Sequence, residues 1–219
     1  MGDANNDDLR VSFDSRLKLK FLGSQITTDA GLLAYRELDE ALGLTEMAGD
    51  LLGDGRLGSN KQHRLLPLLR QSIYSRLAGY EDVNDAERLS VDPAMRHVVG
   101  GRAALADKRA ASASEVGRFE TEIINTSSNL KKLMDLSGEW IDKVQQRKPP
   151  KQLILDLDSS VSETYGEQEG TAYNGHFECT CYHPLFLLSQ FGDLEYAMLR
   201  RGDKASAKYW RRVLLPVIE

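Results

Sequence analysis

The sequence predicts an α+β protein in which a helical first part is followed by antiparallel strands. Three observations lead there. From about residue 28 to residue 146, apolar residues recur at helical spacing between short Gly, Asp and Ser breaks. After Pro149-Pro150 the apolar period falls to two. The strands then run consecutively before a final helix, the order of an α+β fold rather than of alternating βαβ units.

Within the helical part, Thr28 or Asp29 can cap a helix running to about Leu44, with Leu32, Tyr35, Leu38 and Leu42 on one stripe and Gly43 at its stop. A second helix is expected from about Ser59 to Leu77, carrying Leu66, Leu69, Ile73 and Leu77, with Pro67 as a kink or early break. Short helices follow at Asp82 to Leu89 and after Asp92-Pro93, where proline suits a first helical position, ending at Gly100-Gly101. Residues 114 to 146 hold one or two longer helices that bury Leu130, Leu133, Ile141 and Val144.

Beyond the double proline, KQLILDLD at 151 to 158 places Leu153, Leu155 and Leu157 on one face and Ile154, Asp156 and Asp158 on the other. A polar, glycine-punctuated connection leads to HFECTCYHPLFLLS as a second strand, FGDLEYAMLRR as a third, and a helix from Lys208. The division expected is a partly flexible N-terminal segment at 1–27, a helical region at 28–147 and a strand-rich region at 148–219.

Composition narrows the function classes. The chain has 219 residues, 41% hydrophobic and 28% charged, enough for one or two packed cores without staples. No apolar run approaches the roughly 20 residues of a bilayer helix, and MGDANNDDLR is polar and acidic where a secretory signal is basic then apolar. A cytoplasmic protein is expected. With 28 Lys plus Arg against 33 Asp plus Glu, the net charge of −5 speaks against a surface built wholly for nucleic acid, although it permits a local basic face. The two cysteines, Cys179 and Cys181, are too close together to staple a fold.

The densest chemistry lies at Asp156-Leu157-Asp158-Ser159-Ser160. Strand alternation puts both carboxylates on one face, their Cα atoms about 6 to 7 Å apart, at a strand end open to ligand. Hard divalent cations such as Mg²⁺ take one or two carboxylates, waters and substrate phosphate; a solvated strand terminus is the plainer alternative. His176, Cys179, Cys181 and His183 form H-x-x-C-x-C-x-H, but alternation points His176 away from the other three, which disfavours a zinc tetrahedron. Two basic runs could neutralise phosphates: Arg56, Lys61, Arg64, Arg70 and Arg76 within 55 to 80, and Arg200, Arg201, Lys204, Lys208, Arg211 and Arg212 within 196 to 212.

DLDSS, then ETYGEQEG, AYNGHFECTCYHPLF and GDLEYAMLRRGDKAS, together with LAGYEDVNDAERLSVDPAMR in the helical part, resemble the insertion-sequence transposases of the DDE type, the transposase DDE domain group 1. The resemblance extends from about Phe13 onward. It implies a ribonuclease-H-like catalytic fold in which three acidic residues hold two metal ions, Mg²⁺ or Mn²⁺, for cutting and joining DNA ends. It makes Asp158 the first metal-holding catalytic acid, with Asp156 as runner-up, and helical residues Lys61, Arg64, Arg70 and Arg76, with Arg200, Arg201 and Lys204, as the DNA-binding set. The implied partners are terminal inverted repeats and target DNA, in a bacterial, nucleoid-associated setting, with a homodimer or pairing with full-length transposase. Asp193 and Asp203 fall in loops and Glu219 is the last residue, so the second and third acids find no counterpart. The sequence therefore reads as the N-terminal half of such an enzyme, inactive by itself; the alternative reading is a non-catalytic DNA-binding remnant or inhibitor of transposition.

Overall fold

The computed structural model describes residues 9–19, 29–56, 61–105 and 107–218. The chain is an α+β protein that divides into two compact units, 1–130 and 131–219.

The first unit opens with a two-residue antiparallel pair, β1 (Leu9–Arg10) with β2 (Lys18–Leu19). Helices follow as α1 (Leu32–Leu42), α2 (Leu44–Leu51), α3 (Leu65–Leu77), α4 (Ala86–Leu89), α5 (Pro93–Val99) and α6 (Ala113–Arg118). A π-helical segment, Phe119–Ile124, leads to α7 (Ser127–Gln145). Gly43 ends α1 with φ 75°, a left-handed conformation that costs glycine little, and the chain starts α2 at once. That second helix was not anticipated. Asp92 accepts from the Met95 amide at 2.8 Å and caps α5, whose Pro93 sits in the first turn, as the sequence suggests.

Two expectations need correction here. Pro67 is the third residue of α3, where its missing N–H lies among those unbonded in any first turn, so it neither kinks nor breaks the helix. The stripe assigned to α1 holds only in part: Leu32 is buried as expected, but Tyr35 and Leu38 are 54% and 52% exposed, and Arg36 is buried in their stead. Arg36 pays for its burial with an ion pair to Glu40 at 2.8 Å and a stacking contact over Phe13. The proposed starts at Thr28 and Ser59 lie outside the described residues, as does most of the segment 1–27. Leu32, Tyr74, Leu89, Met95, Val98 and Val99 form the core that joins α1, α3, α4 and α5.

The second unit begins within α7, at Lys131, and not at the double proline. Its strands are β3 (Leu155–Ser159), β4 (Ser162–Glu163), β5 (Ala172–Asn174), β6 (Cys179–Tyr182), β7 (Leu185–Ser189) and β8 (Leu194–Met198), followed by α8 (Trp210–Ile218). They form two antiparallel three-stranded sheets, ordered β3-β7-β8 and β4-β6-β5. The second strand expected at 176–189 is therefore two strands. Pro184 interrupts it, because a proline has no N–H to give a ladder, and the pairing passes from one sheet to the other there. Leu155 and Leu157 turn inward with Leu185, Leu187 and Tyr196, and Val213 and Val217 of α8 cover that face.

Candidate functional site

Register fixes where the two carboxylates stand. Asp156 lies opposite Leu188 and Asp158 opposite Phe186, while the alternate residues Leu155 and Leu157 enter the core. Both aspartates are exposed on the face away from α8, at the end of β3 that leads into Ser159-Ser160. Asp158 Oδ1 accepts the Ser159 amide at 2.8 Å, which orients its carboxylate at the strand terminus. Among the described residues neither aspartate makes an ion pair with a basic side chain. Two hard oxygen donors open to water fit part of a Mg²⁺ or Mn²⁺ shell, whose remaining ligands would be waters or phosphate. Among the described residues no group of three His, Cys, Asp or Glu side chains stands close enough to hold a metal ion.

The DNA-binding set divides when its side chains are located. Arg64 is exposed. Lys61 pairs with Asp54 at 3.2 Å, and Arg76 pairs with Glu120 at 2.8 Å while remaining half exposed. Arg201 and Lys204 share Asp203, at 3.7 and 2.9 Å. Arg70 and Arg200 are a correction, since both are buried and cannot present a guanidinium to a phosphate.

Arg70 points into the helical core, donating to Thr45 Oγ1 at 3.0 Å and lying 4.0 Å from Asp39 and 3.9 Å from Glu46. Burial, with Arg36 nearby, holds its guanidinium below the ordinary arginine range. Tyr74 completes the group with a hydrogen bond to Asp39, and its hydroxyl is pushed well up by burial and by that carboxylate.

Arg200 instead has only carbonyls around it. Its guanidinium donates to the oxygens of His183 and Lys208 at 2.7 Å, Ser206 at 2.9 Å and Ala205 at 3.3 Å. Those bonds knit the strand break at His183-Pro184 to the loop after β8. The histidine joins the same seam: its Nδ1 lies 2.8 Å from the Lys204 carbonyl, which only accepts, so Nδ1 carries the proton.

Asn174 serves that seam twice. Its Oδ1 accepts the amides of His176 and Phe177 at 2.9 and 3.2 Å, shaping the turn before β6, and its Nδ2 donates to Gly202 O at 2.6 Å. Gly202 is pressed between strands so closely that a Cβ there would lie 2.3 Å from Ala172 O and 2.5 Å from Cys181 O. Beside it Cys181 is fully buried, its thiol pushed up by burial. The residues of YNGHF, YHPL and RRGDK thus brace one another.

Sequence reasoning missed one polar cluster altogether. Asp135, Glu139 and Asp142 fall at i, i+4 and i+7 on α7, and with Glu195 of β8 they line a cavity of about 470 Å³. The helical spacing was legible. The fourth acid, brought in by a strand some fifty residues later, was not.

The model of the family described as transposase DDE domain group 1 matches residues 9–219. No curated protein and no solved structure matches the chain. The matched span holds both units, the exposed aspartates of β3 and the braced motifs around Arg200, and on that extent the chain belongs to the transposase DDE domain group 1 family.

Proposed function

We propose that this protein acts in DNA transposition, cutting and joining insertion-sequence ends by metal-dependent phosphoryl transfer. Asp158 is the carboxylate that holds the cation and Asp156 supports it. The observation that carries the reading is the placement of both aspartates on the solvent-open face at the end of β3, in a chain of this family. A Mg²⁺ or Mn²⁺ ion supplies charge neutralisation at a phosphate and a more acidic bound water. The protein's own part is to hold those oxygens still, through the core packing of Leu155 and Leu157 and the Ser159 amide on Asp158.

Three antiparallel strands with an acid at the end of the first, followed by a helix over one face, support a ribonuclease-H-like reading of the second unit. The helical residues supply DNA binding through Lys61, Arg64 and Arg76, and Arg201 and Lys204 meet DNA near the sheet. The substrates are terminal inverted repeats and target DNA.

A second reading, a non-catalytic protein that occupies element ends, is favoured by one observation: no third acid joins the β3 pair among the described residues. Mn²⁺ titration followed by the EPR signal of free ion tests the first reading. A weak site that Asp158→Asn reduces several-fold is expected. Binding indifferent to Asp158→Asn and to Asp156→Asn would overturn it, and end binding that persists without that site would favour the second.

A further inference from the structure

We propose that the acidic cavity between α7 and β8 binds a small alkyl di- or polyamine. Four carboxylates line it, from Asp135, Glu139, Asp142 and Glu195, against the single ammonium of Lys131. Like charges at i and i+4 on one helix destabilise it, and here a third acid one turn further and a fourth from the strand add to the repulsion. The fourth is the independent sign of a ligand. Glu195 is the extra residue of the β8 bulge, since Leu187 pairs with Tyr196 and Leu188 with Leu194. The bulge turns its side chain inward, where it is 3% exposed and Oε1 has no hydrogen-bond partner among the described residues. Burial, with Asp142 and Asp193 nearby, pushes the carboxyl up from its ordinary value.

A buried carboxylate oxygen without a donor is costly, and a donor carrying positive charge relieves both the hydrogen-bond deficit and the repulsion. The spacing then selects the kind of cation. No three of these acids come close enough together to coordinate one metal ion. A point charge therefore cannot satisfy them jointly, whereas a chain with an ammonium at each end can reach two or more. The remaining walls are Leu153, Tyr196, Pro216 and Val217, apolar surface suited to the methylenes between those ammoniums. Its volume lies within the range of about 300 to 1,000 Å³ usual for small-ligand sites. The proposal is independent of the phosphoryl-transfer reading, because Asp156 and Asp158 face away from the packed side of the sheet.

Spermidine and putrescine, titrated by calorimetry and by thermal unfolding of the whole protein, test the site. Saturable binding is expected, raising the unfolding midpoint by about 3 to 6 °C at roughly ten times Kd. Asp142→Asn, an exposed position on the cavity wall, should weaken it at least about tenfold, and Glu139→Gln should do likewise. MgCl₂ and NaCl at matched ionic strength should give no saturable heat. Equal stabilisation by those salts would mean simple screening of the acids and would overturn the proposal, as would spermidine binding unchanged in both variants.

Discussion

Arg200 and His183 hold each other from both directions: the His183 amide donates to the Arg200 carbonyl at 2.9 Å, and the Arg200 guanidinium donates to the His183 carbonyl at 2.7 Å. A buried guanidinium bonded only to carbonyls cannot be exchanged for an ammonium, which has three donors on a point rather than five in a planar fork. Arg200→Lys should therefore destabilise the protein by about 2 kcal/mol and Arg200→Ala by about 3 kcal/mol or more, read by urea unfolding. A loss under about 0.5 kcal/mol for Arg200→Ala would mean that the seam is incidental.

Gly202→Ala should cost about 3 kcal/mol or more, because the new methyl meets two strand carbonyls far inside contact distance and neither can move without breaking its ladder. Gly138→Ala should show a milder effect of the same kind, with its Cβ 2.9 Å from Glu195 O. Circular dichroism melts of both variants measure the order.

The basic stripe gives opposite outcomes at neighbouring positions. Lys61→Ala, Arg64→Ala and Arg76→Ala together should flatten the salt dependence of duplex binding by up to about 0.9 per lost phosphate contact. Thermal stability should change less than in Arg70→Ala, since partly exposed pairs such as Lys61 with Asp54 and Arg76 with Glu120 contribute only about 0 to 1 kcal/mol each. Arg70→Ala should do the reverse, lowering the unfolding midpoint by emptying a buried position whose guanidinium bonds Thr45 Oγ1 and by leaving Asp39 to Arg36 without its second cation. Mobility shifts over a salt series, with melts of the same proteins, separate the two.

Two sets of acids should bend the pH dependence of stability in opposite senses. For Glu115 and Glu120, burial raises the carboxyl, but hydrogen bonds from Ser112 and His63, and from Arg76 and Ser72, outweigh it and leave both below the ordinary range. Their contribution is present above the unfolded glutamate value of about 4.3 and is lost as pH falls through the lower folded values. Glu195 is raised, so its protonated form favours the fold and its ionisation opposes it as pH rises through the folded value. Glu195→Gln should accordingly stabilise the protein at pH 7, with the gain fading as pH falls through the raised folded value and gone below the unfolded value of about 4.3. Melting midpoints of this variant across pH 4 to 8 check the sign, and a variant less stable at pH 7 would contradict it.

What could be read from the sequence was whatever a single element determines by itself. Alternation in LILDLD placed Asp156 and Asp158 together on one face and Leu155 and Leu157 on the other, because a strand leaves no second arrangement. Asp92-Pro93 likewise marked its helix start locally. The basic residues were illegible for the opposite reason. Their partners are acids from elsewhere in the chain, Glu46 for Arg70 and Glu120 for Arg76, or backbone carbonyls that composition does not reveal, as in the loop to Lys208 for Arg200. A run with no acid inside it need not be a positive surface once the chain folds. The α1 stripe held at Leu32 and failed at Tyr35 and Leu38, because a paired arginine, Arg36, takes the next core-facing turn. The break at Pro184 was visible as a residue but not as a change of sheet.

The order β3-β7-β8 sets β7 between two partners and leaves β3 with one, so the strand that carries both exposed aspartates is an edge strand among the described residues. Amides along β7 should be the last of this sheet to exchange their protons for deuterium, and the outward amides of β3 among the first. The chemistry then rides on the least protected backbone of its own sheet. Whatever closes over that margin, whether nucleic acid or another strand, will announce itself as slowed exchange at 155–159 before any change at the sheet's centre.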